Sequence, residues 1–163
     1  MFEPETMELS ALMRLVQISK NWTFNLKIRQ LLSHLDLSAV IFQQLCNLSS
    51  LDLTYGARDL KMDYEKSLFG MTFHDMVKLA KGLNETNSLT TLTLHRNKID
   101  DDMCRMLSVG MQNNQTVTYL DLSHNHIADR GLRSLTQCLL DNSVLTDLRM
   151  ASNEVSVCGG GVC

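Results

Sequence analysis

Apolar residues recur in the same order three times in the second half of the chain. Leu89, Leu92, Leu94 and Ile99 form the first set, Val117, Leu120, Leu122 and Ile127 the second, and Leu145, Leu148, Met150 and Val155 the third. Equivalent positions are 28 residues apart, from 89 to 117 and from 117 to 145. Leu92 and Leu94 alternate with Thr91, Thr93 and His95, the period-two pattern of a short strand with one buried face. Asn97, Asn125 and Asn153 follow where the chain must turn away from the strand. A side-chain amide offers donors and an acceptor together, so stacked asparagines can satisfy turn backbone along the interior. Helical spacing comes next. Cys104, Leu107 and Met111 stand at i, i+3 and i+7, and Leu132, Leu135 and Leu139 repeat that spacing one unit later. Met76, Leu79, Ala80 and Leu83 make a similar stripe upstream. Asp101 and Asp129 fall at equivalent positions near the helix starts, where a carboxylate favours the positive end of the helix dipole. Polar stretches at 84–88, 113–116 and 141–143 return the chain to the next strand.

The shared pattern, L-x-x-L-x-L-x-x-N-x-I with conservative replacements, is that of a leucine-rich repeat, whose units run to roughly 20–29 residues. Unrelated strands would not share one period, one asparagine and one following helix. The expected fold is α/β: a leucine-rich-repeat solenoid of the ribonuclease-inhibitor type, with parallel strands on the concave face and helices on the convex face. Irregular units precede the clear ones. Leu48, Leu51 and Leu53 begin another copy, with Gly56 in the asparagine slot, and the next copy starts 41 residues later, from 48 to 89. The excess over the period is an insert at about 58–70, in which Tyr64, Leu68 and Phe69 are expected to tuck down. Leu32, Leu35 and Leu37 read as the strand of a degenerate first unit, and Val40, Ile41, Phe42, Leu45 and Cys46 as its short helix. Residues 5–32 read as helical, with Leu9, Leu12, Met13 and Val16 on one face. The organisation expected is therefore a helical N-terminal segment or cap at 1–33, repeats at 34–155 and a Gly/Cys tail at 156–163. The tail carries Gly159, Gly160 and Gly161, which oppose a helix. The chain thus reads as a short or truncated form whose last strand leaves an apolar edge exposed.

The stretch from Leu51 to Leu135 resembles the leucine-rich-repeat subunit of the nexin–dynein regulatory complex, the T-complex-associated testis-expressed protein family of motile cilia and sperm flagella. The run Tyr55-Gly56-Ala57-Arg58-Asp59 and the run Leu68-Phe69-Gly70-Met71-Thr72 carry the resemblance, together with LHRNKIDDDMCRML and LDLSHNHIADRGLRSL. It covers about residues 34–155. The resemblance implies a non-enzymatic axonemal scaffold in a complex that links doublet microtubules and conveys control to the dynein arms. It also implies other subunits of that complex as partners, and a place in the cytoplasm and cytoskeleton, in the axoneme of a cilium or flagellum.

Composition narrows the chemistry. Hydrophobic residues make up 44% of the chain, enough for a core, and the net charge is −3. No Lys/Arg stripe offers a nucleic-acid groove. No apolar run nears the roughly 20 residues that span a bilayer, so no membrane partner is expected. Glu3, Glu5 and Glu8 at the start do not read as a secretory leader. The Asn-x-Ser/Thr sites at Asn21, Asn47, Asn84 and Asn114 are accordingly expected to stay unmodified. Cys46, Cys104, Cys138, Cys158 and Cys163 are odd in number and irregular in spacing, which argues for a reducing compartment.

No catalytic set stands out. Of His34, His74, His95, His124 and His126, only His124 and His126 lie close in sequence, and an i, i+2 pair without a third ligand is a poor metal site. Asp100, Asp101 and Asp102 lack the spaced ligands of a calcium loop and read as capping charge. Cys104 and Cys138 read as thiols of helices, and Cys158 and Cys163 as accessible but without an activating base. The glycines of the tail lack the context of a phosphate loop. No catalytic residue, cofactor, metal or small-molecule substrate is expected.

Recognition remains. The outward strand positions form rows: Thr91, Tyr119 and Asp147; Thr93, Asp121 and Arg149; His95, Ser123 and Ala151. Tyr119, Asp121, Asp147 and Arg149, with His95, are the candidate protein-binding residues, because aromatic and Arg side chains dominate interface energetics. The alternative function is regulation of an enzyme, as a GTPase activator or nuclease inhibitor.

Overall fold

The computed structural model describes residues 9–31, 41–56, 70–140 and 142–156. Helix α1 (Leu9–Ser19) leads into strand β1 (Asn25–Leu31). Then come β2 (Ser50–Tyr55), α2 (Phe73–Glu85), β3 (Thr91–Thr93), α3 (Asp101–Gln112), β4 (Tyr119–Asp121), α4 (Asp129–Leu139) and β5 (Asp147–Arg149). The five strands form one parallel sheet in sequence order. A helix crosses back between β2 and β3, between β3 and β4, and between β4 and β5, and neighbouring helices pack side by side. This is the α/β leucine-rich-repeat fold.

The period-two pattern sets the sheet's faces. Leu92, Leu94, Leu120 and Leu122 point inward and are fully buried, as are Leu51 and Leu53 one unit earlier. Each such leucine contributes about 2 kcal/mol by leaving water. The helical stripes meet them from the other side: Met76, Leu79 and Leu83 from α2, Cys104, Leu107 and Met111 from α3, and Leu135 from α4. Ile99 and Ile127 close the core below the turns. In the last unit Leu145, Leu148 and Met150 are only partly buried.

The turns repeat as closely as the strands. Arg96, His124 and Ser152, 28 residues apart, each adopt the left-handed conformation at φ 57–58° just before a ladder asparagine. Asn125 Oδ1 accepts from the N–H groups of Asn97 (2.9 Å) and Ile99 (3.1 Å), while its Nδ2 donates to the carbonyls of Leu94 and Leu122. Asn97 does the same toward β2, accepting from Tyr55 N–H at 2.7 Å and donating to Leu53. Asn153 accepts from Ile127 N–H and donates to Leu122 and Met150. The ladder read from the sequence is present in all three units.

A second ladder lies where helices hand over to strands. Asn114 accepts from Thr116 and Val117 N–H and donates to Leu83 at 2.7 Å. Asn142, 28 residues on, accepts from Val144 and Leu145 N–H and donates to Met111 and Asn114. Both are buried.

The N-terminal region differs from expectation. The helical reading of 5–32 holds for Leu9–Ser19 but fails for Asn25–Leu31, which is a strand. Leu26 and Ile28 face inward between exposed Lys27 and Arg29, and β1 pairs with β2 in register from Asn25↔Ser50. The strand beside β2 is thus 25–31; Leu32, Leu35 and Leu37, read as a strand, lie outside the described residues, as does Val40. Residues 41–48 form turns held by Leu45 N–H to Ile41 O and Leu48 N–H to Leu45 O, and Ile41 and Leu45 join the core. The insert's Tyr64, Leu68 and Phe69 and the tail from Val157 are outside the described residues. The chain rejoins the sheet at Gly70, whose N–H donates to Tyr55 O at 3.2 Å. Gly70 has φ 88°, and a Cβ there would lie 2.8 Å from Asn97 O, so this re-entry requires glycine.

Candidate functional site

Strand register decides which outward side chains are neighbours. Ser50, Thr91, Tyr119 and Asp147 align in one row, and Lys27, Asp52, Thr93, Asp121 and Arg149 in the next. The two rows expected over the clear units are both present. They bring together Tyr119, Asp121, Asp147 and Arg149 on β4 and β5. The Arg149 guanidinium lies over the Tyr119 ring, 5.4 Å from its centroid, a cation–π arrangement that pre-orders both side chains. Asp121 Oδ1 accepts from Ser123 N–H at 2.9 Å, and Asp147 accepts from Thr146 Oγ1 at 3.0 Å. Arg149 and Asp147 are exposed, and Tyr119 and Asp121 half-buried.

His95 stands apart from that group. Its Nδ1 is 4.0 Å from Asp52 Oδ1, and the other Asp52 oxygen is ion-paired with Lys27. Asp52 Oδ1 is itself buried and without a hydrogen-bond partner. This Lys27–Asp52–His95 cluster was not singled out from the sequence. Its partners belong to three units, two of them irregular, so no fixed period connects them. The third expected row is broken, because Ser123 is buried and presents little surface.

The rest of the candidate chemistry is structural. Asp100 caps α3 by accepting from Met103 N–H at 2.9 Å, as the capping reading of the triple aspartate expects. Asp101 does something else: its Oδ1 accepts from Ala128 and Gly131 N–H, capping α4, whose own N-cap Ala128 has no side chain to do so. Asp129 repeats this one unit on by accepting from Ser156 N–H and hydroxyl. The two hydrogen bonds from Ser156 hold the Asp129 carboxyl below its ordinary range. Cys104 and Cys138 are both buried. Burial, helped by Asp101 and then Asp100, pushes the Cys104 thiol up to about 12, so it is an inert donor to Gly131 O. Burial also raises the Tyr55 phenol, with Asp75 adding to the rise. His124 and His126 are exposed, and His126 Nδ1 lies 2.6 Å from Glu154 Oε1. Among the described residues no group of three or more His, Cys, Asp or Glu is placed to hold a metal ion, and no helix is long and apolar enough to cross a membrane.

Comparison with known proteins agrees with this architecture. A family profile described as "Leucine Rich repeat" matches residues 113–135. Dynein regulatory complex subunit 5 of Chlamydomonas reinhardtii is 44% identical over 106 residues, which is 64% of this chain and 27% of that protein. The Mus musculus protein of the same name is 39% identical over 61 residues, 37% of this chain and 12% of that protein. The chain therefore spans about a quarter of the Chlamydomonas relative, and the resemblance read from the sequence holds. Among solved structures, the tropomodulin C-terminal domain of Caenorhabditis elegans aligns over 94% of this chain and 70% of that one, with a TM-score of 0.52 and 10% identity. That likeness is one of fold.

Proposed function

We propose, on the likeness to dynein regulatory complex subunit 5, that this chain is a non-catalytic interaction module of the axonemal nexin–dynein regulatory complex and contributes to ciliary or flagellar motility. Its partners are other protein subunits, and its place is the cytoskeleton of a cilium or flagellum. The outward strand face carries the contact, anchored by Tyr119 and Arg149 with Asp121 and Asp147 beside them and His95 at the margin. The observation that supports this face is the Arg149–Tyr119 stack at 5.4 Å. An aromatic and a guanidinium held together lose little freedom on docking, which lowers the ordering cost of association. Leu120 beneath Tyr119 is fully buried and Leu148 beside Arg149 partly so, and the register of β4 with β5 keeps the rows' spacing.

The test is capture from axonemal extract by the full chain and by a Tyr119→Ala/Arg149→Ala variant. The reading predicts that the full chain retains dynein regulatory complex subunits and that the variant, unchanged in melting, loses most of them. Equal capture by both would reject the strand face as the contact. Absence of those subunits from the full-chain capture would reject membership of the complex.

A further inference from the structure

The N-terminal end carries a surface that the strand-face reading leaves unused. Residues 9–31 contain Arg14, Lys20, Lys27 and Arg29 and no Asp or Glu, in a chain of net charge −3. On α1, Arg14 and Ile18 are four residues apart and share a face, while Val16 is buried in the core. The chain keeps turning after the helix, with Trp22 N–H donating to Ser19 O at 2.8 Å. Trp22 thereby follows Ile18 by another four residues, and Phe24 leads directly into β1. Ile18 is 82%, Trp22 78% and Phe24 52% exposed, an unusual cost for three large apolar side chains so close in sequence. Lys27 is paired with Asp52, whereas Arg14, Lys20 and Arg29 are exposed and in no ion pair among the described residues.

We propose that this aromatic and basic end docks an acidic segment of a partner protein, one that carries an apolar side chain among its carboxylates. The apolar side chain covers Trp22 together with Ile18 and Phe24, and the carboxylates pair with Arg14, Lys20 and Arg29. Charge complementarity selects this occupant. Two copies of the chain joined through this patch about a two-fold axis would set the same cations against one another. A lipid surface is the poorer match, because an interfacial helix needs a long free apolar face, and α1 already turns Met13 and Val16 to the core.

Trp22 is the chain's one tryptophan, so its emission reports directly on the patch. The experiment titrates the full chain with a fluorescein-labelled, glutamate-rich peptide containing one phenylalanine, read by anisotropy, and with the unlabelled peptide, read by Trp22 emission. Binding that shifts Trp22 emission to shorter wavelength and weakens with added salt is the expected result. Trp22→Ala should weaken it about thirtyfold or more, the range of an aromatic anchor. Arg14→Glu with Lys20→Glu, both at exposed positions and checked for unchanged melting, should abolish it, and a peptide with glutamine for glutamate should not bind. The proposal is overturned if the acidic peptide fails to bind at low salt, or if the glutamine peptide binds equally. It is also overturned if only anionic vesicles shift the emission, or if raising the chain's own concentration alone does so. Peptide binding that appears only after Glu3, Glu5 and Glu8 are changed to Gln would instead assign the patch to the chain's own first residues.

Discussion

Asp101 and Gly131 belong to different repeat units, yet Asp101 Oδ1 accepts the Gly131 N–H at 2.9 Å and so caps a helix of which it is not part. The space is tight enough that a Cβ on Gly131 would lie 2.6 Å from that oxygen and 2.8 Å from Ile127 Cγ2. Gly131→Ala should therefore push the carboxylate off the α4 N-terminus and cost about 2 kcal/mol by overpacking and cap loss. Asp101→Ala should cost about 1 kcal/mol for the cap alone. Because both changes break one contact, the double variant should lose less than the sum in urea unfolding. Full additivity would mean the cap does not bridge the units.

The asparagine ladder should be steeply graded along the chain. Asn125→Ala leaves the N–H groups of Asn97 and Ile99 and the carbonyl of Leu94 without that partner inside the core, at about 3 kcal/mol or more. Asn153 serves a half-exposed unit, where water can replace the amide, so Asn153→Ala should cost about 1 kcal/mol. Chemical denaturation of the two variants decides it, and equal losses would contradict a ladder whose weight lies in burial.

Thiol chemistry should separate the cysteines. Cys104 is buried with its thiol pushed up to about 12, and Cys138 is also buried, while Cys46 is exposed. Iodoacetamide near neutral pH should label Cys46 in the native chain and reach Cys104 and Cys138 only on unfolding. Peptide mass spectrometry would show this, and early labelling of Cys104 would contradict the packing of α3 against α4.

Acid should loosen the last described turn. The Asp129 carboxyl is held below its ordinary range by Ser156, so the ionised form is favoured by folding. That stability is fully present above the ordinary carboxylate value and is lost as pH falls through the depressed folded value. Protection of the Ser156 amide, taken relative to its slower intrinsic exchange in acid, should fall over that window, and Asp129→Asn should remove the effect.

Much of this molecule was legible because stacking forces identical solutions at identical intervals. Leu92, Leu120 and Leu148 lie 28 residues apart because each must reach the same inner row, and Asn97, Asn125 and Asn153 because each must close the same turn. The same logic could have exposed Asn114 and Asn142, also 28 apart, but they lie in polar loops where asparagine is common for other reasons. Strand β1 was misread because Leu, Lys, Arg and Gln are good helix formers and follow a true helix. Its alternation of Leu26 and Ile28 with Lys27 and Arg29 becomes decisive only once β2 is there to pair with it. The reach of Asp101 to Gly131 and the gathering of Lys27, Asp52 and His95 are relations across coils, invisible to a pattern read within one. On the strand face, Tyr119, Asp121, Asp147 and Arg149 were legible as neighbours because register follows from the period, whereas the ring-over-guanidinium stack depends on rotamers.

The most direct test of the account is a photocrosslinking amino acid placed in ciliated cells either at Thr91, on the strand face beside Tyr119, or at Val109, exposed on the opposite helix face. The account predicts crosslinks to dynein regulatory complex subunits from position 91 and none from position 109. Crosslinks to those subunits from position 109 alone would contradict it.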